Sequence, residues 1–265
     1  MNQRRSPDQD FPWWLLLVVG VGLWLFWQVV ANDLYAQVLR TLVKGIGITV
    51  FVAGVAYGLA CLLGLGLALA GRSRWLVVRQ VTRLYVELVR GMPIIVLLLY
   101  VAFVLAPALV AGWNAAAEPL GLGIWKTRDF PLLWRAVIAL TLAYSAFISE
   151  IFRAGLDAVD IGQIEAAEAL GLNGWQRFRL VVFPQAFRVV LPPLGNDFVA
   201  MVKDSSLVSV LGVADVTQLG KVTAAGNFRY FETYNVVALV YLVMTIGLSL
   251  ALRRLERRLG QRRGS

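Results

Sequence analysis

The sequence predicts an all-α integral membrane protein of six transmembrane helices, one of them broken, and three observations carry that expectation. Only 15% of the residues are charged and 59% are hydrophobic, with a mean hydropathy of +0.70, whereas a soluble domain carries about 25% charged residues. The apolar residues fall in runs long enough to cross roughly 30 Å of hydrocarbon at about 1.5 Å per helical residue. The arginines cluster after every second run, as they do when a membrane sorts basic residues to one face.

The first run, 13 to 31, follows Arg4 and Arg5 and so imitates a secretory signal peptide. It reads instead as a retained span, because Trp24 and Trp27 occupy the end where a cleavage site needs small residues. Further clear spans lie near 46 to 70, 93 to 112, 132 to 150 and 234 to 252. Pro93 fits the start of the third, where its missing N–H costs no hydrogen bond. Trp13, Trp14, Trp75, Trp113 and Trp134 fall at predicted span ends, the level an amphipathic ring prefers.

The sixth span is hidden in residues 185 to 212, where Pro192, Pro193, Gly195, Asn196, Asp197, Lys203 and Asp204 interrupt an apolar segment. Charge parity requires it. With Arg4 and Arg5 inside, the stretch bearing Arg72, Arg74, Arg79, Arg83 and Arg90 and that bearing Arg153, Arg177, Arg179 and Arg188 are inside too. The tail arginines from Arg253 to Arg263 join them only if 185 to 212 crosses once. Both termini are therefore expected in the cytoplasm.

The net charge of +9 does not point to nucleic acid, because the arginines are spread between apolar runs rather than gathered on one face. The chain has no histidine and a single cysteine, Cys61, inside an apolar run. Disulfide frameworks and histidine-based metal or acid–base sites are excluded. No metal site is expected.

The stretch from Asp160 to Pro184, DIGQIEAAEALGLNGWQRFRLVVFP, predicts a helical elbow. Asp160 is placed to cap a helix over 162 to 170, and Gly171 stands where a left-handed stop is needed. Asn173 and Gln176 have capping-box spacing for a second helix leading to Pro184. By itself such an elbow could be a connector on the membrane surface, with Arg177 and Arg179 near headgroups.

Glu165, Ala166 and Ala167, then Gly171, then Pro184 resemble the EAA loop of binding-protein-dependent ABC importer permeases. Residues 85 to 99 (YVELVRGMPIIVLLL), 144 to 159 (YSAFISEIFRAGLDAV) and 203 to 217 (KDSSLVSVLGVADVT) resemble the polar amino-acid branch of that family. The resemblance covers roughly residues 41 to 259 and implies a type I ABC importer permease core, with 153 to 184 as its cytoplasmic coupling loop. Residues 1 to 40 would hold an additional transmembrane helix, since the smallest family members resemble a five-span core, and 260 to 265 a basic tail.

The resemblance further implies a cytoplasmic ABC ATPase dimer, an extracytoplasmic solute-binding protein and a second permease chain, identical or similar. It places the chain in a bacterial inner membrane, moving a small amino acid. ATP would be bound by the ATPase, and this chain has no G-x-x-x-x-G-K-[ST] loop of its own. Small side chains at Ala166 and Ala167 would allow close approach to the ATPase, with Glu165 and Glu168 facing a basic surface.

Charges inside a span cost about 2.5 to 3.5 kcal/mol on insertion scales and call for a partner or a watery cavity. Asn196, Asp197, Lys203, Asp204, Ser205 and Ser206 therefore border a candidate substrate path, together with Tyr144 and Ser145. The competing reading of the same residues is a structural ion pair between Lys203 and Asp204 or Asp197. Glu87 with Arg90, and Glu150 with Arg153, have i, i+3 spacing and read as salt bridges at helix ends or as gating contacts with a partner. Tyr100, Thr141 and Ser149 read as hydroxyls bonded within the bundle.

Two other function classes are weighed. A stand-alone secondary transporter of small polar solutes would call for more spans and paired half-repeats. A membrane enzyme would call for clustered carboxylates, histidine or a polar cysteine.

Overall fold

A computed structural model describes residues 13–261, and the regular elements among them are helices. Helix α1 (Trp13–Ala31) is followed by α2 (Asp33–Ala70), capped by Asn32, whose side chain accepts from the Leu34 N–H. Next come α3 (Leu76–Gly91) and α4 (Ile94–Tyr100), with Pro93 as the N-cap of α4. A π-turn (Val101–Leu105) joins α4 to α5 (Ala106–Ala117), and α6 covers Leu132–Asp157. The elbow consists of α7 (Ile161–Ala169) and α8 (Gly174–Arg177). A second π-turn (Phe178–Val182) leads into α9 (Phe183–Asp204), then α10 (Val216–Asn227) and α11 (Tyr230–Gln261) follow.

Among the described residues, four helices are long and apolar enough to cross a membrane: Asp33–Ala70, Ile94–Leu120, Leu132–Asp157 and Tyr230–Glu256. The second span is longer than its hydropathy suggests, because α2 begins at Asp33 and runs uninterrupted through residue 40.

Helix α6 is the centre of the bundle, packed by α2, α3, α4 and α9. The face that α2 turns inward repeats every three or four residues, through Val38, Leu42, Gly45, Thr49, Val52, Ala56, Ala60 and Gly64. Small residues on that face let the backbones approach, the means by which helices associate where lipid offers no hydrophobic drive. A Cβ on Gly45 would lie 2.6 Å from the Val216 N, and one on Gly64 would lie 2.8 Å from Ile148 Cγ2. At the α10 end, the buried Asp215 caps α10 by accepting from the Gln218 N–H at 2.8 Å and accepts from the Tyr241 hydroxyl at 3.1 Å.

Three expectations need correction. Residues 72 to 90 are not a loop, since most of them form α3, whose buried Thr82, Val86 and Val89 face α6. Its arginines line a helix. The segment over 185 to 212 is not broken at its prolines: α9 runs through Pro192 and Pro193 to Asp204, then tightens to a 3₁₀ segment over Ser205–Leu211. The prolines remove donors for the carbonyls of Arg188 and Val189, and both residues are exposed, so those carbonyls can be satisfied outside the packed core. Finally, α10 occupies a stretch for which no element is expected.

The two π-turns share one cause. Each ends two residues before a proline, Pro107 and Pro184. A proline ring in a helix collides with the carbonyl four residues back, and the wider π-turn makes room for it.

Candidate functional site

The elbow is built as its residues require. Asp160 caps α7 by accepting from the Gly162 N–H at 2.7 Å. At its other end Gly171 adopts φ +76°, the left-handed region that favours glycine. Its N–H donates to Glu168 O at 2.9 Å and that of Leu172 to Ala167 O at 3.1 Å, which together form a Schellman stop. Asn173 and Gln176 exchange backbone-to-side-chain bonds of 2.9 and 3.0 Å in a complete capping box. A helix with both ends satisfied moves as a body rather than fraying.

Within α7, Ala167 is buried while Glu165, Ala166 and Glu168 are exposed. Glu168 pairs with Arg177, clasping α7 to α8, so its charge is engaged within the elbow rather than held out as expected. Glu165 forms no salt bridge among the described residues. Ile161, Leu170 and Trp175 are exposed around it, and Trp175 begins a ladder of neighbouring rings through Phe178, Phe183 and Phe187. That aromatic ladder escapes sequence reasoning, although its spacing on a continuous helix was the available signal. Pro184 lies in the first turn of α9, next to the π-turn rather than at a break.

At the base of the elbow, exposed ion pairs tie the helix ends together. Arg72 bonds Asp157, and Arg153 reaches Glu150 at 2.7 Å and Asp157 at 3.2 Å. The expected Glu150–Arg153 pair is thus present. The Glu87–Arg90 pair is not formed among the described residues; the Arg90 guanidinium instead lies over the Phe147 ring at 5.9 Å. Arg90 thereby meets a π face instead of a carboxylate.

The second constellation lies where α2, α6 and α9 meet. Asp197 and Asp204 stand seven residues apart on one face of α9, and Asn196 and Lys203 stand likewise on the adjoining face. The Tyr144 hydroxyl donates to Asp204 Oδ2 at 2.8 Å. Tyr57 donates to Leu194 O at 2.6 Å with its ring 4.8 Å from that of Phe198. No described residue hydrogen-bonds the buried Asp197 Oδ2. Such an oxygen is costly unless something polar comes to it.

Tyr57 therefore joins this group although sequence reasoning passed over it; a lone phenol in the middle of an apolar span was the signal. Three expected members go elsewhere. Ser145 is fully buried, bonded to Leu142 O and to the Tyr85 hydroxyl at 2.8 Å. Ser205 returns its proton to Val202 O. Ser206 lies partly buried in the 3₁₀ segment. Among the described residues no salt bridge joins Lys203 to Asp197 or Asp204. Backbone over 196 to 204 is helical, so any path here is lined by side chains and not by unwound carbonyls.

Comparison with known proteins matches the family described as "binding-protein-dependent transport system inner membrane component" over residues 60–264. The chain is 37% identical over 206 residues to the probable amino-acid permease protein YxeN of Bacillus subtilis, covering 78% of this chain and 85% of that protein. It is 36% identical over 222 residues to the glutamine transport system permease protein GlnP of Escherichia coli, covering 82% and 92% of the two chains. Among solved structures, an amino acid ABC transporter crystallised with histidines aligns with a TM-score of 0.70 and 35% identity, covering 84% of this chain and 96% of that one.

Proposed function

Because the chain belongs to the family of binding-protein-dependent transport system inner membrane components, we propose that it is the permease of an ATP-driven amino-acid importer, driven through the elbow at residues 160 to 184. The observation that carries this is the elbow itself: a short helix capped at both ends, exposing Glu165 and Ala166 beside Ile161 and Leu170. A rigid, partly apolar body at the end of α6 is suited to fit a groove and transmit displacement, which a frayed loop would absorb.

In this reading a cytoplasmic ATPase dimer closes on ATP and draws two elbows together, one from this chain and one from a second permease chain, identical or similar. The displacement passes through the second π-turn into α9. Tyr57, Tyr144, Asn196, Asp197, Lys203 and Asp204 border the substrate path, where mixed charge suits the ammonium and carboxylate of an amino acid delivered by a solute-binding protein. The chain lies in a bacterial inner membrane with both termini cytoplasmic, and it hydrolyses nothing itself.

Replacing Glu165 by Lys, or Gly171 by Asp, tests the coupling. Membrane insertion should be retained and substrate-stimulated ATP hydrolysis by the reconstituted complex lost. Unchanged hydrolysis and uptake would reject the coupling role.

A further inference from the structure

A charged cavity opens between α2, α3 and α6, beside the ion pairs at the base of the elbow. It encloses about 450 Å³, and Thr82, Arg83, Glu87, Ser149, Glu150 and Arg153 supply its polar lining. Arg153 is held by Glu150 and Asp157, whereas Arg83 and Glu87 form no salt bridge among the described residues. With Arg153 and Glu150 paired to each other, the guanidinium of Arg83 and the carboxylate of Glu87 are the charges left facing the space, and together they match neither a simple anion nor a simple cation. They match a molecule that carries both charges, an anionic group with an ammonium close to it.

The setting selects among such molecules. At about 100° per residue, three strips run along α3. Thr82, Val86 and Val89 are buried against the bundle. Arg79, Arg83, Glu87 and Arg90 form a charged ridge beside them, and Val77, Val81, Leu84 and Leu88 form an exposed apolar strip beyond that, each more than half exposed. The helix connects two helices long and apolar enough to cross a membrane, a position in which its apolar strip is suited to the acyl layer and its ridge to the headgroup level. The cavity opens on that ridge.

We propose that this cavity holds the headgroup of an ethanolamine phospholipid, its phosphate on Arg83, its ammonium on Glu87 beside the Glu150–Arg153 pair, and its acyl chains along the apolar strip of α3. A choline headgroup would bind less well, since a quaternary ammonium cannot donate hydrogen bonds to the carboxylates.

The test uses the full chain in detergent micelles doped with equal amounts of ethanolamine and choline phospholipids of the same acyl chains. Lipid retained after washing is measured by mass spectrometry. Ethanolamine lipid should be retained preferentially, and Arg83→Gln and Glu87→Gln should each weaken retention about tenfold, the equivalent of one charged hydrogen bond. Both side chains are exposed, and an unchanged thermal unfolding midpoint measured without added lipid would show that the variants fold. Equal retention of the two lipids, or variants that retain as well as the parent chain, would overturn the proposal. Displacement of the lipid by free glutamine, but not by soluble phosphoethanolamine, would overturn the lipid assignment in favour of an amino-acid site.

Discussion

The two π-turns arise from the same conflict between a proline and a helix, yet they are completed differently. At Val101–Leu105 the Ala106 N–H donates to Val101 O, and Pro107 has no N–H, so the Ala102 carbonyl loses both of its backbone donors. The buried Arg135 supplies the replacement, donating to Ala102 O at 2.9 Å and to Phe130 O at 3.0 Å, with a further bond to Thr127 O. At Phe178–Val182 the Phe183 N–H donates to Phe178 O, and Pro184 leaves the Arg179 carbonyl in the same position. No described side chain donates to it, and its surroundings are exposed. One turn is locked by a buried cation. The other is left to solvent, and it joins the elbow to α9. The bend beside the elbow leaves its unpaired carbonyl where it can find water, and the bend between α4 and α5 is plugged by protein.

Arg135→Met is the severest challenge to that contrast. It should lower stability by about 3 kcal/mol, because buried carbonyls lose a charged donor, seen as a lower thermal unfolding midpoint in detergent. A loss below about 0.5 kcal/mol would mean that the first turn is not locked by this residue. Pro184→Ala should stabilise the chain by about 1 kcal/mol by restoring a donor for Arg179 O, while slowing uptake by the reconstituted complex. Pro107→Ala should give no such gain, since Arg135 already occupies the Ala102 carbonyl. A small loss is expected from Arg177→Gln, which opens the exposed clasp to Glu168 at a cost of about 0.5 kcal/mol. In high salt the parent chain should lose the same small increment.

Much of this was legible in the sequence, and the failures have physical causes. Asp160, Gly171, Asn173 and Gln176 announced the elbow because capping is local chemistry, settled within a few residues. Hydropathy located the long spans for the same reason. The course of α9 was not legible, because whether Pro192 and Pro193 break a helix depends on where the freed carbonyls face, and that is decided by tertiary packing. Helix α3 was obscured because its arginines are first read as topological signals, although its apolar residues keep a helical period. In the polar seam, Tyr144, Asp197 and Asp204 were nameable from their cost in a membrane. Tyr57 and the departure of Ser145 toward Tyr85 required knowing which face of each helix looks inward.

The most direct test is a cross-link from the elbow. With Cys61 replaced by Ala, Ala166→Cys treated with a disulfide-containing thiol-to-amine cross-linker should become joined to the ATP-hydrolysing subunit of the reconstituted complex, blocking uptake until reductant is added. Labelling of that cysteine in intact cells by a membrane-impermeant thiol reagent, with no cross-link to any ATPase, would contradict the account.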